Sequence, residues 1–271
     1  MEIDVARLLH EYRPALAGRL PHFAVAALRR LLHEREINDL LSRYGGLPPQ
    51  RFLSAVLDDM RIGRCVWFEG GIRPDGRYLF ASNHPFGGLD GMAVAEVLAE
   101  TFGDVRVVVN RMLAEIGPLR GLWLPLGGGG RLPAAQARRF GEVMRGNVPV
   151  LMFPAGLCSR RRHGVVSDPD WKPRFVRRAI ESGRAVVPVH VDGRLSDRFY
   201  RAASLRRALG IGTRLEALLL VDEMFRQRGT TVRIAVGRPV APDELLSFGS
   251  AEAACLQIRE RVCALHEKMM R

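Results

Sequence analysis

The chain has 271 residues, 47% hydrophobic and 26% charged, which is the balance of a globular protein and not of a disordered one. Its 41 basic against 29 acidic side chains give a formal charge of +12, and Lys172 and Lys268 are the only lysines, so the positive charge is nearly all arginine. That charge favours anionic partners such as nucleic acid, acidic lipid headgroups or an acidic carrier protein, and does not choose among them. An arginine-rich proteome would produce it with no functional content. Cys65, Cys158, Cys255 and Cys263 form no CxxC pair, so neither a zinc pattern nor a disulfide framework is legible. The first residues are acidic and lack a signal peptide's basic region and cleavage site. No apolar run approaches the roughly 20 residues that span a bilayer. The expectation is a cytoplasmic protein, not integral to a membrane, with a peripheral role open.

Residues 3–43 read as helical. From His22 to Leu41, the residues Phe23, Ala27, Leu28, Leu31, Leu32 and Ile37 recur near helical spacing, with Arg29, Arg30 and Arg35 on the charged side. Two readings stand side by side. One is an amphipathic helix lying on a membrane. The other is a helix packed on the domain, which Glu34, Glu36 and Asp39 favour. Pro14 and Pro21 break the earlier part. A Gly/Pro-rich breaker, Arg43–Gln50, and a short helix at 51–60 close this N-terminal segment of residues 1–60.

A compact unit of residues 61–271 follows. Strands are expected at Arg77–Ser82, Val105–Val109, Val148–Phe153, Ala185–Val191 and Thr231–Val236, which are short, apolar and Val-rich. Helices are expected at Met92–Thr101, Pro133–Arg145, Lys172–Ser182, Leu215–Gln227 and Ala251–Met269. This alternation predicts an α/β fold: a mostly parallel mixed sheet flanked by helices, with the N-terminal helical extension.

In such sheets ligands gather at the carboxyl ends of strands. After the first strand come Asn83 and His84, then Asp90 on a Gly-containing loop. An imidazole accepts a proton near neutral pH, and a carboxylate on its far nitrogen fixes the tautomer. Asp90 also suits a helix N-cap. After the third strand, Gly156, Ser159 and the run Arg160–Arg162 offer guanidinium forks for phosphate or carboxylate, or else form a solvated basic loop. Nothing local activates the Cys158 thiol, and Ser159 lacks the G-x-S-x-G elbow of a serine hydrolase. Gly193 suggests a close backbone approach after the fourth strand. His190 reads as structural. The Gly127–Gly130 run reads as a flexible turn, or as room for a long substrate; it is not a P-loop.

Three blocks in order resemble the glycerolipid acyltransferase superfamily, typified by lysophosphatidate (1-acylglycerol-3-phosphate) acyltransferases. Asn83-His84…Asp90-Gly91 is similar to its His–Asp signature, Phe153-Pro154-Ala155-Gly156 to its Phe-Pro-Glu-Gly block, and Val187-Pro188-Val189 with Gly193 to its Val-Pro-Val block. The likeness covers about Tyr78–Gly193 and is expected to extend through the sheet to Pro239, and the Asn-His-Pro-Phe-Gly-Gly-Leu-Asp-Gly form resembles a hemolysin-like bacterial branch. Five residues, Pro85 to Leu89, separate His84 from Asp90, one more than the family's usual spacing, which requires Gly87-Gly88 to bulge. The family's Glu and Arg of the second block are Ala155 and Cys158 here, which leaves two readings: Arg160 or Arg161 takes over the acceptor's anion, or the acceptor headgroup is not glycerol phosphate.

The resemblance implies acyl transfer from an acyl carrier protein or acyl-CoA thioester to the hydroxyl of a lysophospholipid or lyso-aminolipid. His84 would be the base and Asp90 its partner. Substrate contacts would come from Asn83, Gly87, Gly88, Phe153, Pro154, Gly156, Ser159, Arg160 and Arg161. Backbone N–H groups near Gly87-Gly88 or Gly156 would hold the oxyanion, and Phe86, Trp123 and Leu124 would wall an acyl groove. No metal or cofactor is implied. An anionic membrane surface is the expected setting, at the inner face of the cytoplasmic membrane. Competing readings are a lipid hydrolase using the same pair, and a basic nucleic-acid-binding protein, for which no binding motif is present.

Overall fold

The Val-rich runs become the strands of one sheet in a computed structural model that describes residues 2–12, 14–110, 116–126, 133–210, 212 and 215–270. Helices α1 (Val5–Tyr12), α2 (Pro14–Ala17), α3 (His22–Leu31), α4 (Glu34–Tyr44) and α5 (Pro49–Asp59) precede strand β1 (Gly63–Phe68). Then come β2 (Tyr78–Ser82), α6 (Gly88–Phe102), β3 (Arg106–Asn110), β4 (Trp123–Leu126), α7 (Ala134–Arg145) and β5 (Val150–Met152). The short strands β6 (Arg160–Arg162) and β7 (Val165–Ser167) are followed by α8 (Arg174–Ser182), β8 (Ala185–Asp192), α9 (Asp197–Ala208), α10 (Leu219–Arg226), β9 (Thr231–Val236), α11 (Pro242–Ser247) and α12 (Ala251–Met269).

Seven strands form the sheet in the order β1-β9-β8-β2-β5-β3-β4. Five of them, β8 through β4, run parallel, while β9 is antiparallel to β8 and parallel to β1. The sheet is thus mixed and mostly parallel, as expected. Side chains alternate across it. Phe80, Val187 and Val189 face the core shared with α5 and α6, which includes Leu53, Leu57 and Leu98. Leu79, Ala81 and Val186 face the second core, with Phe140 of α7, Phe175 of α8 and Ile258 of α12.

Several expectations need correction. The stretch His22–Leu41 is not one helix: His33 takes a left-handed conformation (φ 50°) and divides α3 from α4. The break lets its ring stack on Phe225 of α10 (4.3 Å) and approach Asp222 (3.0 Å), which ties the N-terminal helices to the sheet-bearing unit. The helix after β2 starts at Gly88, so Asp90 lies inside its first turn and not before it. Trp123–Leu126 is an edge strand, where Pro125 is tolerated. The arginine run is a strand paired with β7 and not a loop. Leu215–Gln227 divides into a 3-10 turn (Leu215–Leu218) and α10. Strand β1 and helices α9 and α11 had no clear sequence signal. Gly127–Gly130 lies outside the described residues.

Arg184 was not singled out by sequence. It has no solvent exposure and directs all its donors at backbone carbonyls. Nε donates to Met144 (3.0 Å), Nη1 to Tyr78 (2.8 Å) and Val148 (3.0 Å), and Nη2 to Val143 (2.8 Å) and Gly146 (2.7 Å). It thereby satisfies carbonyls at the C-terminus of α7, where a cation is favourable, and joins them to the start of β2. Burial, with Arg77 nearby, pushes its pKa down to about 10. A lysine carries its donors on one atom and cannot span both sides. Arg184→Lys should lower stability by about 2–4 kcal/mol, read as a fall in the urea midpoint; an unchanged midpoint would remove the clamp.

Candidate active site

The carboxyl end of β2 leads directly into Asn83 and His84. Asn83 does not point at open space. Its Nδ2 donates to the Val191 carbonyl (2.8 Å) and its Oδ1 accepts from the Val191 amide (2.7 Å), so it locks the ends of β2 and β8 together. Gly193, just beyond, has φ 142°, and a Cβ there would stand 2.0 Å from the Phe86 ring. The close approach expected at this glycine is therefore an aromatic ring.

His84 Nδ1 lies 2.9 Å from Asp90 Oδ1. The imidazole is 19% exposed and the carboxylate not at all. Gly87 makes this geometry possible: at φ 78° it turns the chain into α6 and brings Asp90 back beneath the histidine. The Phe86 amide donates to Asp90 Oδ2 (2.9 Å) and the Gly91 amide to Oδ1 (2.8 Å), which fixes the carboxylate. Burial disfavours the charged imidazole, but the charge and hydrogen bonding of Asp90, aided by Asp168, outweigh it. The His84 pKa is raised above its ordinary 6.5.

Phe153 at the end of β5 stacks on the His84 ring, centroids 4.1 Å apart. Pro154 accepts from the Lys172 amide (3.1 Å), and the Gly156 amide donates to the Phe153 carbonyl (2.9 Å), so that amide is engaged in a turn. The Ser159 amide donates to the His84 carbonyl (2.8 Å), and its hydroxyl to Asp168 Oδ1 (2.6 Å). Asp168, missed from sequence, also accepts from the His84 amide (3.2 Å) and the Trp171 indole (3.1 Å). Ser159 and Asp168 flank the β6–β7 hairpin, so the hairpin's base is clipped to the backbone of His84. Only the turn-like Ser-Asp-Pro wording marks Asp168 in the sequence, and that carries no hint of this contact.

Arg160 and Arg161 are already engaged. Arg160 lies over the Phe199 ring (5.0 Å), donates to the Cys158 carbonyl (3.0 Å), and faces the buried Glu216 at 3.5 Å, which Arg206 also pairs. Arg161 pairs with Asp197 and lies over Tyr200. Arg161, Arg162 and His163 border a surface recess of about 600 Å³ with Ser204, Arg207 and Ala208. Burial raises the Cys158 thiol pKa, which disfavours its thiolate. Phe86, Trp123 and Leu124, expected as groove walls, are buried core residues instead. His190 faces α12, its ring 5.2 Å from that of His266; burial, with His266, pushes its pKa down to about 4.

The arrangement can take a proton at His84 and stabilise the resulting imidazolium through a buried carboxylate. A family model described as acyltransferase matches residues 7–269. A lyso-glycine lipid O-acyltransferase of Bacteroides thetaiotaomicron is 36% identical over 243 residues, covering 88% of each chain. One of Phocaeicola vulgatus is 34% identical over 243 residues, 88% of this chain and 86% of that one. Among solved structures, the 1-acyl-sn-glycerophosphate acyltransferase of Thermotoga maritima aligns over 90% of this chain and 93% of that one, at 16% identity and a TM-score of 0.46.

Proposed function

The chain belongs to the acyltransferase family, and from that premise we propose that it moves a fatty acyl group from a thioester to the hydroxyl of a lysolipid. The observation that carries the mechanism is the 2.9 Å approach of His84 Nδ1 to the buried Asp90. With Nδ1–H held toward the carboxylate, Nε2 is the atom that receives the acceptor's proton. The acceptor oxygen attacks the thioester carbonyl, the new C–O bond forms, and the C–S bond breaks. The leaving thiolate recovers the proton from His84. Asn83, Phe153 and Asp168 hold the ring and its backbone in place.

The relatives' acceptor, a lyso-glycine lipid, supports an acceptor with an anionic headgroup. The recess beside Arg161, Arg162 and Arg207 supplies the matching charge. The donor is an acidic acyl carrier protein or acyl-CoA, either of which a +12 chain attracts. The setting is the inner face of the cytoplasmic membrane, with residues 1–60 as the surface-contacting segment of the acyltransferase domain 61–271. Among the described residues no helix is long and apolar enough to cross a membrane. Helix α3 has no buried residue, and its Phe23 is 76% exposed. An apolar ring beside arginines suits an anionic lipid surface.

Anionic vesicles carrying lysolipid, with labelled acyl carrier or CoA thioester, provide the test. Label should pass to the lysolipid in the wild type, and His84→Ala should cost about a hundredfold to ten-thousandfold in rate. Full activity in that variant, or label found only as free fatty acid, sinks the reading. The rate should fall as pH drops through a pKa above 6.5, because His84 is then protonated. Residual activity of Asp90→Asn should show that limb displaced to lower pH, since the carboxylate that raises it is gone. Charge reversal at Arg161 and Arg162 should raise the KM for lysolipid roughly tenfold and leave the thioester KM little changed; equal losses would remove the acceptor role. Phe23→Asp should reduce the fraction of protein that sediments with vesicles, and an unchanged fraction would dismiss α3 as the contact.

A further inference from the structure

Two residues apart on β8, His190 and Asp192 project to the same face of the sheet, as the strand period requires. Helix α12 brings His266 over that face. The metal-binding atoms of these three side chains all lie within 4.8 Å of one another. His266 Nδ1 stands 3.7 Å from Asp192 Oδ1. Both ring nitrogens of His190 are buried and have no hydrogen-bond partner among the described residues. A buried polar ring left in that condition costs stability and calls for a partner. Asp192 is itself only loosely held, with Arg233 Nη1 of β9 at 4.0 Å, beyond hydrogen-bonding range.

We propose that His190, Asp192 and His266 form a binding site for a divalent transition-metal ion such as Zn²⁺ or Co²⁺. Two imidazoles and a carboxylate suit these ions over Mg²⁺ or Ca²⁺, which prefer all-oxygen sets. Three protein ligands leave a fourth position for water. Ligand atoms lie about 2.0–2.2 Å from zinc, so two on one ion stand no more than about 4.4 Å apart. His266 Nδ1 and Asp192 Oδ1, at 3.7 Å, already stand within that span, and His266 is half-exposed near the end of α12 with room to turn. Arg233, also half-exposed, turns away into solvent.

Such an ion would pin α12 to the carboxyl end of β8. The residue between the two strand ligands is Val191, whose backbone Asn83 grips on both sides. The site therefore stiffens the strand end that holds Asn83-His84, without contributing a group to proton transfer. It does not depend on the acyl-transfer reading, which has its own assay above.

The test uses the full chain, stripped with chelator and titrated with Co²⁺. Visible ligand-field absorption should saturate at one ion per chain, with no thiolate charge-transfer band in the near ultraviolet, and Zn²⁺ should raise the melting temperature. His266→Ala, at a half-exposed position, should melt where the metal-free wild type melts, bind Co²⁺ at least tenfold more weakly and lose the Zn²⁺ effect. Asp192→Asn should weaken binding in the same sense. The proposal is overturned if wild type shows no saturable band, if a thiolate band appears and so assigns the ion to Cys263 or another cysteine, or if His266→Ala binds as wild type does.

Discussion

A carboxylate with no solvent exposure persists only where its oxygens find donors, and Asp90 finds all of its donors within one turn of chain. The amides of Phe86 and Gly91 donate to it, and His84 Nδ1 stands 2.9 Å from its Oδ1. Its place in the first turn of α6 adds the favourable end of the helix dipole. A negative charge is thus held beneath the histidine by local geometry, before any substrate arrives. The turn at Gly87 is what allows it, because a residue with a Cβ is strained at φ 78° and would also press on Leu220.

Longer-range ties then hold the histidine backbone. Asn83 joins the ends of β2 and β8, and Asp168 joins the strand end to the foot of the basic hairpin. These bonds use the polar atoms of residues that a sequence reading assigns to substrate. Asn83 and Ser159 spend their side chains on the protein itself. Arg160 is likewise packed among Phe199, Cys158 and Glu216. Farther along the hairpin, Arg161 and Arg162 border the surface recess with Arg207, Arg161 already paired with Asp197.

The legible parts of the fold are those whose signal is local. Runs such as Val107–Val109 and Val186–Val187 announce buried parallel strands, and Ala251–Met269 announces the last helix. β1 escapes because Gly63-Arg64-Cys65 sits at the sheet edge, half-exposed and polar. α9 escapes because its arginines leave too thin an apolar stripe. The hairpin escapes because three arginines do not read as a strand until their pairing with Val165–Ser167 is seen. At the site, His84 and Asp90 are legible because they lie close in sequence on one turn. Asp168 is not, since its tie to His84 crosses 84 positions, and no pattern of residue types encodes a contact of that span. The same holds for the meeting of β8 with His266.

The Arg184 clamp sits at the amino ends of β2 and β8, and His84 at their carboxyl ends. The two strands are rods clamped at one pole, with the proposed proton-transfer pair at the other. On the proposed reading, heat tolerance and product choice are separable traits in this molecule. On that reading, a library built around residues 143–148 explores how long the enzyme survives, one built along the hairpin explores what it makes, and gains from the two combine with little interference.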